Sequence, residues 1–181
     1  MLIWQDEGIP LLNFQQFLEL DARLSARMQI AGRPGLLRSI AVFLAHSGDS
    51  WFWWGGLGLL WWLGNSFWQS WAKTILFSII GLAVLVLIIK FLVRRKRPEG
   101  EWGGMYRKTD PHSFPSGHAA RAILIAVLVS ALGPTWLSII VWVWAPLVCL
   151  ARVLMGVHYL SDILAGMLTG LLAGLGIIFF K

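Results

Sequence analysis

The sequence predicts an all-α integral membrane protein, with about five transmembrane helices behind an interfacial amphipathic N-terminal segment. Composition is the first reason. Of 181 residues, 57% are hydrophobic and 13% charged, and the mean hydropathy is +0.70. A soluble domain of this length does not carry so much apolar surface with so few charges. Second, several uncharged runs approach the length that crosses a bilayer, among them Ala122 to Ala151, thirty residues interrupted by Gly133-Pro134. Third, short breaks rich in Gly, Asn, Ser and Asp separate these runs, as turns between helices require. Residues 1–30 carry Asp6, Glu7, Glu19 and Asp21 rather than a basic start and an apolar stretch, so no cleavable signal peptide is expected. Cys149 stands alone in an apolar run, which excludes an intrachain disulfide and implies buried packing.

In residues 11–31, Leu11, Leu12, Phe14, Phe17, Leu18, Leu20, Leu24 and Met28 are interspersed with Glu19, Asp21, Arg23 and Arg27. That is the spacing of a helix lying in the interface rather than crossing it. Gly32 to Gly35 ends it, and Leu36 to Ala45 forms a second short apolar helix. After the break His46-Ser47-Gly48-Asp49-Ser50, the tryptophan-rich run Trp51 to Leu63 is the first span, tilted or locally thinning the bilayer. The second has Thr74 to Ile89 as its uncharged core, continues to about Arg95 and stops near Pro98. Residues 99–114 read as a polar surface loop. The third span runs from Ser116 to about Leu132, the fourth over roughly 135–156 and the fifth from about Tyr159 to Phe180. Residues 1–181 thus read as one membrane-embedded domain, with 1–48 interfacial and 49–181 the transmembrane core. With alternating helices, the end of the second span, the start of the third, the end of the fourth and the start of the fifth fall on one membrane face.

Ionisable residues inside or at the ends of spans are costly and read as functional. Here they are Lys90, Arg97, Arg121, Arg152, His118, His158 and Asp162. Lys90 and Arg97 are seven apart and would look out from one helix face. Pro115-Ser116-Gly117-His118 opens the third span, where unpaired backbone N–H groups and the positive end of the helix dipole favour an anion. Three cations beside such a terminus suit a multiply charged anion, with phosphate the natural candidate. Arg94, Arg95 and Lys96 read as snorkelling anchors at the interface. His158 and Asp162, four apart, would share a helix face, the carboxylate fixing one imidazole nitrogen and leaving the other to attack. A second imidazole, His118, could protonate the leaving oxygen, and the cations could stabilise the transferring phosphoryl group.

Lys90 with Arg97-Pro98, then Pro115-Ser116-Gly117-His118, then Arg152, His158 and Asp162 resemble the three-part signature of the type-2 phosphatidic acid phosphatase superfamily, which joins lipid phosphate phosphatases and vanadium haloperoxidases. All three spacings match. One departure is Ala151, where the pattern has a serine. The resemblance implies a phosphatase/haloperoxidase-like helical core and a metal-independent reaction without a cofactor. It implies His158 as nucleophile forming a phosphohistidine, Asp162 as its orienting group and His118 as general acid. Lys90, Arg97, Arg152, Ser116 and the backbone at Gly117 would hold the phosphate.

A finer likeness is to the polyisoprenoid (presqualene) diphosphate phosphatase branch. It rests on Leu20-Asp21, Leu24-Ser25, Gly32-Arg33-Pro34, Val93 to Pro98, and Ser113 to Ala119 with Arg121. The additional cations, Arg121 and Arg94 among them, would suit a diphosphate, or else bind anionic lipid headgroups. The expected partners are a lipid phosphate or diphosphate and the membrane lipids, with no nucleic acid; oligomeric state is not legible. The alternatives are a phosphatidic acid or phosphatidylglycerophosphate-type phosphatase and a lipid phosphotransferase. Arg23, Arg27, Arg33, Arg38, Arg94, Arg95, Lys96, Arg107 and Lys108 fall on the site-facing side, against Lys73 and Lys181 opposite. The positive-inside rule then turns the site to the cytoplasm, from a cell (inner) membrane.

Overall fold

The computed structural model describes residues 13–99, 102 and 110–181; Arg107 and Lys108 lie outside the described residues. Among the described residues seven helices are complete, in order: α1 (Phe14–Met28), α2 (Leu36–Ser47), α3 (Ser50–Leu63), α4 (Ser66–Val93), α5 (Gly117–Leu132), α6 (Thr135–Leu154) and α7 (Leu160–Phe179). Among them, α4, α6 and α7 are long and apolar enough to cross a membrane. Helices α3 and α5 are shorter, at 14 and 16 residues, below the roughly 20 of a full span. The protein is an all-helical integral membrane protein.

Helix α5 is the axis. Every residue from Ala119 to Val129 is buried, with α4, α6 and α7 packed around it, α3 against α4 and α2 against α6. On α4 the buried stripe Ile75, Ile79, Leu82, Val86 ends in Lys90, while Phe77, Val84, Ile88 and Leu92 face outward. That 3.6-residue period puts one apolar face on the bundle and the other toward lipid. Between α5 and α7 the contact is closest. A Cβ at Gly166 or Gly170 would overlap the carbonyl oxygens of Ser116 and Ala120, and one at Gly174 would come within 2.8 Å of Val127. Small residues at every fourth position let two membrane helices approach backbone to backbone. Cys149 is buried beside Ala119, Val153 and Ile163, as its setting implies.

Helix α1 is amphipathic, but its polar side faces the protein. Phe14, Phe17, Leu20 and Leu24 are exposed, whereas Asp21 and Ser25 are buried. Asn13 caps it, its side chain accepting from Gln16 N at 2.8 Å, the reciprocal capping box.

Three boundaries differ from expectation. Helix α4 begins at Ser66, capped by Asn65 accepting from Trp68 N at 3.2 Å, and ends at Val93 rather than Arg95. Arg94 takes a left-handed conformation with φ 53° and terminates it. Arg97 therefore does not share a helix face with Lys90. Helix α7 begins at Leu160, so His158 precedes it with Tyr159 as N-cap. The 99–114 segment is not all surface: Ser113 is fully buried.

We expect Gly170→Ala to destabilise the detergent-solubilised protein by about 1–3 kcal/mol, the usual cost of overpacking. Gly176→Ala, where a Cβ meets nothing within 4 Å, should melt like the parent. Thermal unfolding of the two variants side by side checks this.

Candidate active site

The chain leaving α4 turns back on itself. An isolated antiparallel bridge joins Lys96 to His112, and Ser113 N donates to Arg95 O at 2.8 Å. This carries Arg97 to the level of Lys90, so the pair meets through a loop rather than along a helix. Lys90 Nζ donates to Asp110 Oδ2 and to His112 O, both at 2.7 Å. Arg97 Nη2 donates to the same Asp110 oxygen at 2.7 Å, and its Nε to Asp110 O at 2.7 Å. One carboxylate oxygen thus sits where an ammonium and a guanidinium converge, the arrangement of an oxyanion between two cations.

These groups border a cavity of about 170 Å³. Its polar end is formed by Lys90, Arg97, Arg152, His118, His158 and Gly117, and Arg121 and Asp110 also line it. Its other wall is Ile79, Leu82, Ala83, Val86 and Leu87 of α4. From Ile79 to Lys90 the helix rises about 16 Å, so the apolar wall runs well into the bundle. A Cβ at Gly117 would meet nothing closer than Val86 at 3.6 Å; glycine here leaves cavity space open at the positive end of α5. Ser116 is buried and caps α5, its Oγ accepting from Ala119 N at 3.4 Å, and it does not line the cavity. Its backbone N donates to Asp162 O at 2.9 Å, tying the starts of α5 and α7 together.

His158 Nδ1 faces Asp162 Oδ2 at 3.4 Å, and its Nε2 lies 3.2 Å from Arg97 Nη1. Asp162 caps α7, accepting from Tyr159 N at 3.0 Å, so capping geometry rather than a shared helix face brings the pair together. Burial, then the charges of Arg97, Arg152 and Lys90, holds the His158 imidazole well below its usual range. The ring is neutral at neutral pH, and Nε2 is available as a nucleophile.

Arg95 is not a snorkelling anchor. It donates to Asp162 Oδ1 at 2.8 Å, to Asp21 Oδ2 at 2.7 Å and to Ser161 Oγ at 2.6 Å, and it stacks 4.0 Å over Tyr159. From α1, Asp21 Oδ1 accepts Ser161 N at 3.1 Å and Ser25 Oγ accepts Leu160 N at 3.0 Å, capping α7 from outside. Arg94 is exposed, bonds Phe91 O at 2.8 Å and stays outside the cavity. Arg121 lines the cavity and donates to Gly48 O. Ala151 packs with Ala41, Ala45 and Met155 in the α2–α6 contact, where a serine hydroxyl would enter an apolar cluster.

Three acidic residues outside the three-part signature belong to this region: Asp21, Asp49 and Asp110. Asp49 Oδ1 lies 2.6 Å from His118 Nε2, and its Oδ2 3.0 Å from His46 Nδ1. Burial pushes its carboxyl up, but the bonds and charges of His118 and His46 outweigh this and hold it well below the ordinary carboxylate range. A carboxylate within a chain of 13% charged residues was the available signal, since such a group needs a partner.

The chain is 30% identical over 158 residues to decaprenylphosphoryl-5-phosphoribose phosphatase of Mycobacterium tuberculosis, covering 86% of each chain. It is 31% identical over 145 residues to undecaprenyl-diphosphatase of Sulfolobus acidocaldarius, covering 78% of this chain and 68% of that one. In fold it is similar to a transmembrane PAP2-type phosphatidylglycerolphosphate phosphatase from Bacillus subtilis, with TM-score 0.75, 24% identity, and 93% and 88% of the two chains covered. The model of the PAP2 superfamily matches residues 71–180, a segment holding Lys90, Arg97, His118, Arg152, His158 and Asp162, and the chain belongs to that superfamily.

Proposed function

We propose that the protein is a membrane lipid phosphatase that hydrolyses an isoprenoid diphosphate through a phosphohistidine. The observation that carries this is the cavity itself: cations and two imidazoles at one end, an apolar helix wall along the other. A phosphorylated headgroup matches the first and a prenyl chain the second. The two named relatives act, by their names, on polyprenyl compounds, which supports a prenyl tail. Arg121, beside the phosphate cations, supports a second phosphate.

In the first step His158 Nε2 attacks phosphorus. An N–P bond forms, the bond to the leaving oxygen breaks with its electron pair, and that oxygen takes a proton from His118. Asp162 holds Nδ1–H and stabilises the positive ring, as the carboxylate of a catalytic triad does. Lys90, Arg97 and Arg152, with the N–H groups at Gly117, stabilise the equatorial oxygens. Water then attacks phosphorus, gives a proton to His118, and the N–P electrons return to Nε2. A phosphoryl oxygen takes the place of Asp110 between Lys90 and Arg97. Residues 49–181 form the catalytic core of a single domain, and 1–48 lie in the interface with the apolar stripe of α1 turned to lipid. The basic side faces the cytoplasm of the cell membrane.

Purified protein in detergent with chelator should release phosphate faster from farnesyl diphosphate than from phosphatidic acid, and His158→Ala should lose at least about 10³-fold. A phosphatidic acid preference would keep the mechanism and discard the prenyl substrate; transfer of phosphate to an added alcohol would mark a phosphotransferase.

The acid limb of kcat/KM reports the free enzyme. Since the nucleophile must be neutral and its titration is depressed, that limb should lie well below pH 6.5, the ordinary histidine value. Loss of activity at or above pH 6.5 on the acid side would contradict His158 as the nucleophile.

Glu99 is exposed beside the site. In intact cells Glu99→Cys should resist a membrane-impermeant maleimide and react after lysis; reaction before lysis would reverse the orientation.

A further inference from the structure

Asp49 lies in the turn between α2 and α3, outside the matched segment 71–180, and the mechanism above does not use it. It occupies the N-cap of α3, yet its side chain makes no capping bond. Both oxygens are turned away instead: Oδ1 to His118 Nε2 at 2.6 Å, Oδ2 to His46 Nδ1 at 3.0 Å and to Trp51 Nε1 at 3.2 Å. A capping role therefore does not account for the residue. The first contact has the length of a charge-assisted hydrogen bond.

The turn is pinned where it meets His118. Trp53 Nε1 donates to Ser47 O at 3.1 Å, Trp144 Nε1 to Ser47 Oγ at 2.8 Å, and Arg121 to Gly48 O. A Cβ on Gly48 would lie 2.9 Å from Val148 Cγ1 and 3.2 Å from His118 Cδ2, so glycine lets the turn press against the imidazole. The carboxylate is thus fixed by its own partners before it touches His118.

We propose that Asp49 is a positioning residue for His118: it accepts Nε2–H, and so makes Nδ1 the nitrogen through which the proton passes. This rests on the reading of His118 as the general acid. In the first step Nδ1–H goes to the leaving oxygen; in the second Nδ1 takes a proton from the attacking water, and Nε2–H stays on Asp49 throughout. Arg121 and Arg152 line the same cavity, so a positive ring at His118 needs a neighbouring anion, and Asp49 supplies it. The site then contains two Asp–His pairs, one for the nucleophile and one for the acid.

The test compares dodecyl phosphate, whose alkoxide must be protonated to leave, with 4-nitrophenyl phosphate, whose phenolate leaves without help. Asp49→Asn should lower kcat/KM, which ends at phosphohistidine formation and so leaves out the shared water step, by about 10²-fold or more on dodecyl phosphate, and by at least tenfold less on the nitrophenyl ester. In a His118→Ala background the same substitution should add almost nothing, because the two residues act as a unit. Equal loss on both esters, or a full additional loss in His118→Ala, would overturn the proposal. If Asp49→Asn does not fold, His46→Ala serves, since that side chain is 43% exposed; a smaller bias of the same sign supports the idea and an unbiased loss sinks it. Failure of the underlying reading is separable: His118→Ala itself would then show no dependence on the leaving group.

Discussion

Positive charge held away from water is the constraint on which this bundle depends. Lys90, Arg97, Arg121 and Arg152 are all buried or nearly so at one end of apolar helices, and Arg95 is close behind. Losing one partner of a buried ion pair costs about 3–5 kcal/mol, so the carboxylates that face these cations are part of the fold and not merely of the site. They come from separate parts of the chain: Asp21 from α1, Asp110 from the segment before α5, Asp162 from α7. Asp21 and Asp162 are sealed in, whereas Asp110 keeps 39% of its side chain exposed. The exposed one sits on two of the three cations assigned to phosphate, Lys90 and Arg97. A counterion that can leave, among counterions that cannot, is what an anion site needs when it must stay folded while empty.

Backbone proximity does the complementary part. The glycines of α7 let its first turns lie against those of α5, and the bond from Ser116 N to Asp162 O fixes their relative height. Both histidines are thereby carried on neighbouring helix starts, with the positive ends of two dipoles beside the cavity. Positioning on helix starts rather than on loose loops keeps reacting groups within the small tolerances that phosphoryl transfer demands.

The apolar runs and the convergence of polar span ends on one cavity were legible because such runs and their breaks are local signals; Lys90, Arg97, Gly117, His118, Arg152 and His158 meet there, whereas Ser116 and Asp162 do not line it and Asp110 does. What was not legible depended on distance or on conformation without a sequence marker. Arg94 ends α4 in a left-handed turn with neither Gly nor Pro beside it, so the helix stop could not be placed. Arg95 looked like one more interfacial cation because its partners Asp21 and Asp162 lie 74 and 67 residues away. Asp49 was hidden for the same reason, 69 residues from His118. The amphipathic pattern of α1 was correct, but which stripe faces the protein follows from the needs of Arg95 and not from hydropathy. Glycines at 166, 170 and 174, one every fourth residue, are the local mark of the α5–α7 seam.

Arg95 has a mechanical consequence. Its guanidinium bolts the inward side of α1 to Asp162 with bonds of 2.7 and 2.8 Å, while Phe14 and Phe17 point the other way. Asp162 in turn accepts Tyr159 N at the start of α7 and, through its carbonyl, Ser116 N at the start of α5. A load on α1 is therefore carried through one guanidinium to the starts of both helices, with nothing entering the cavity.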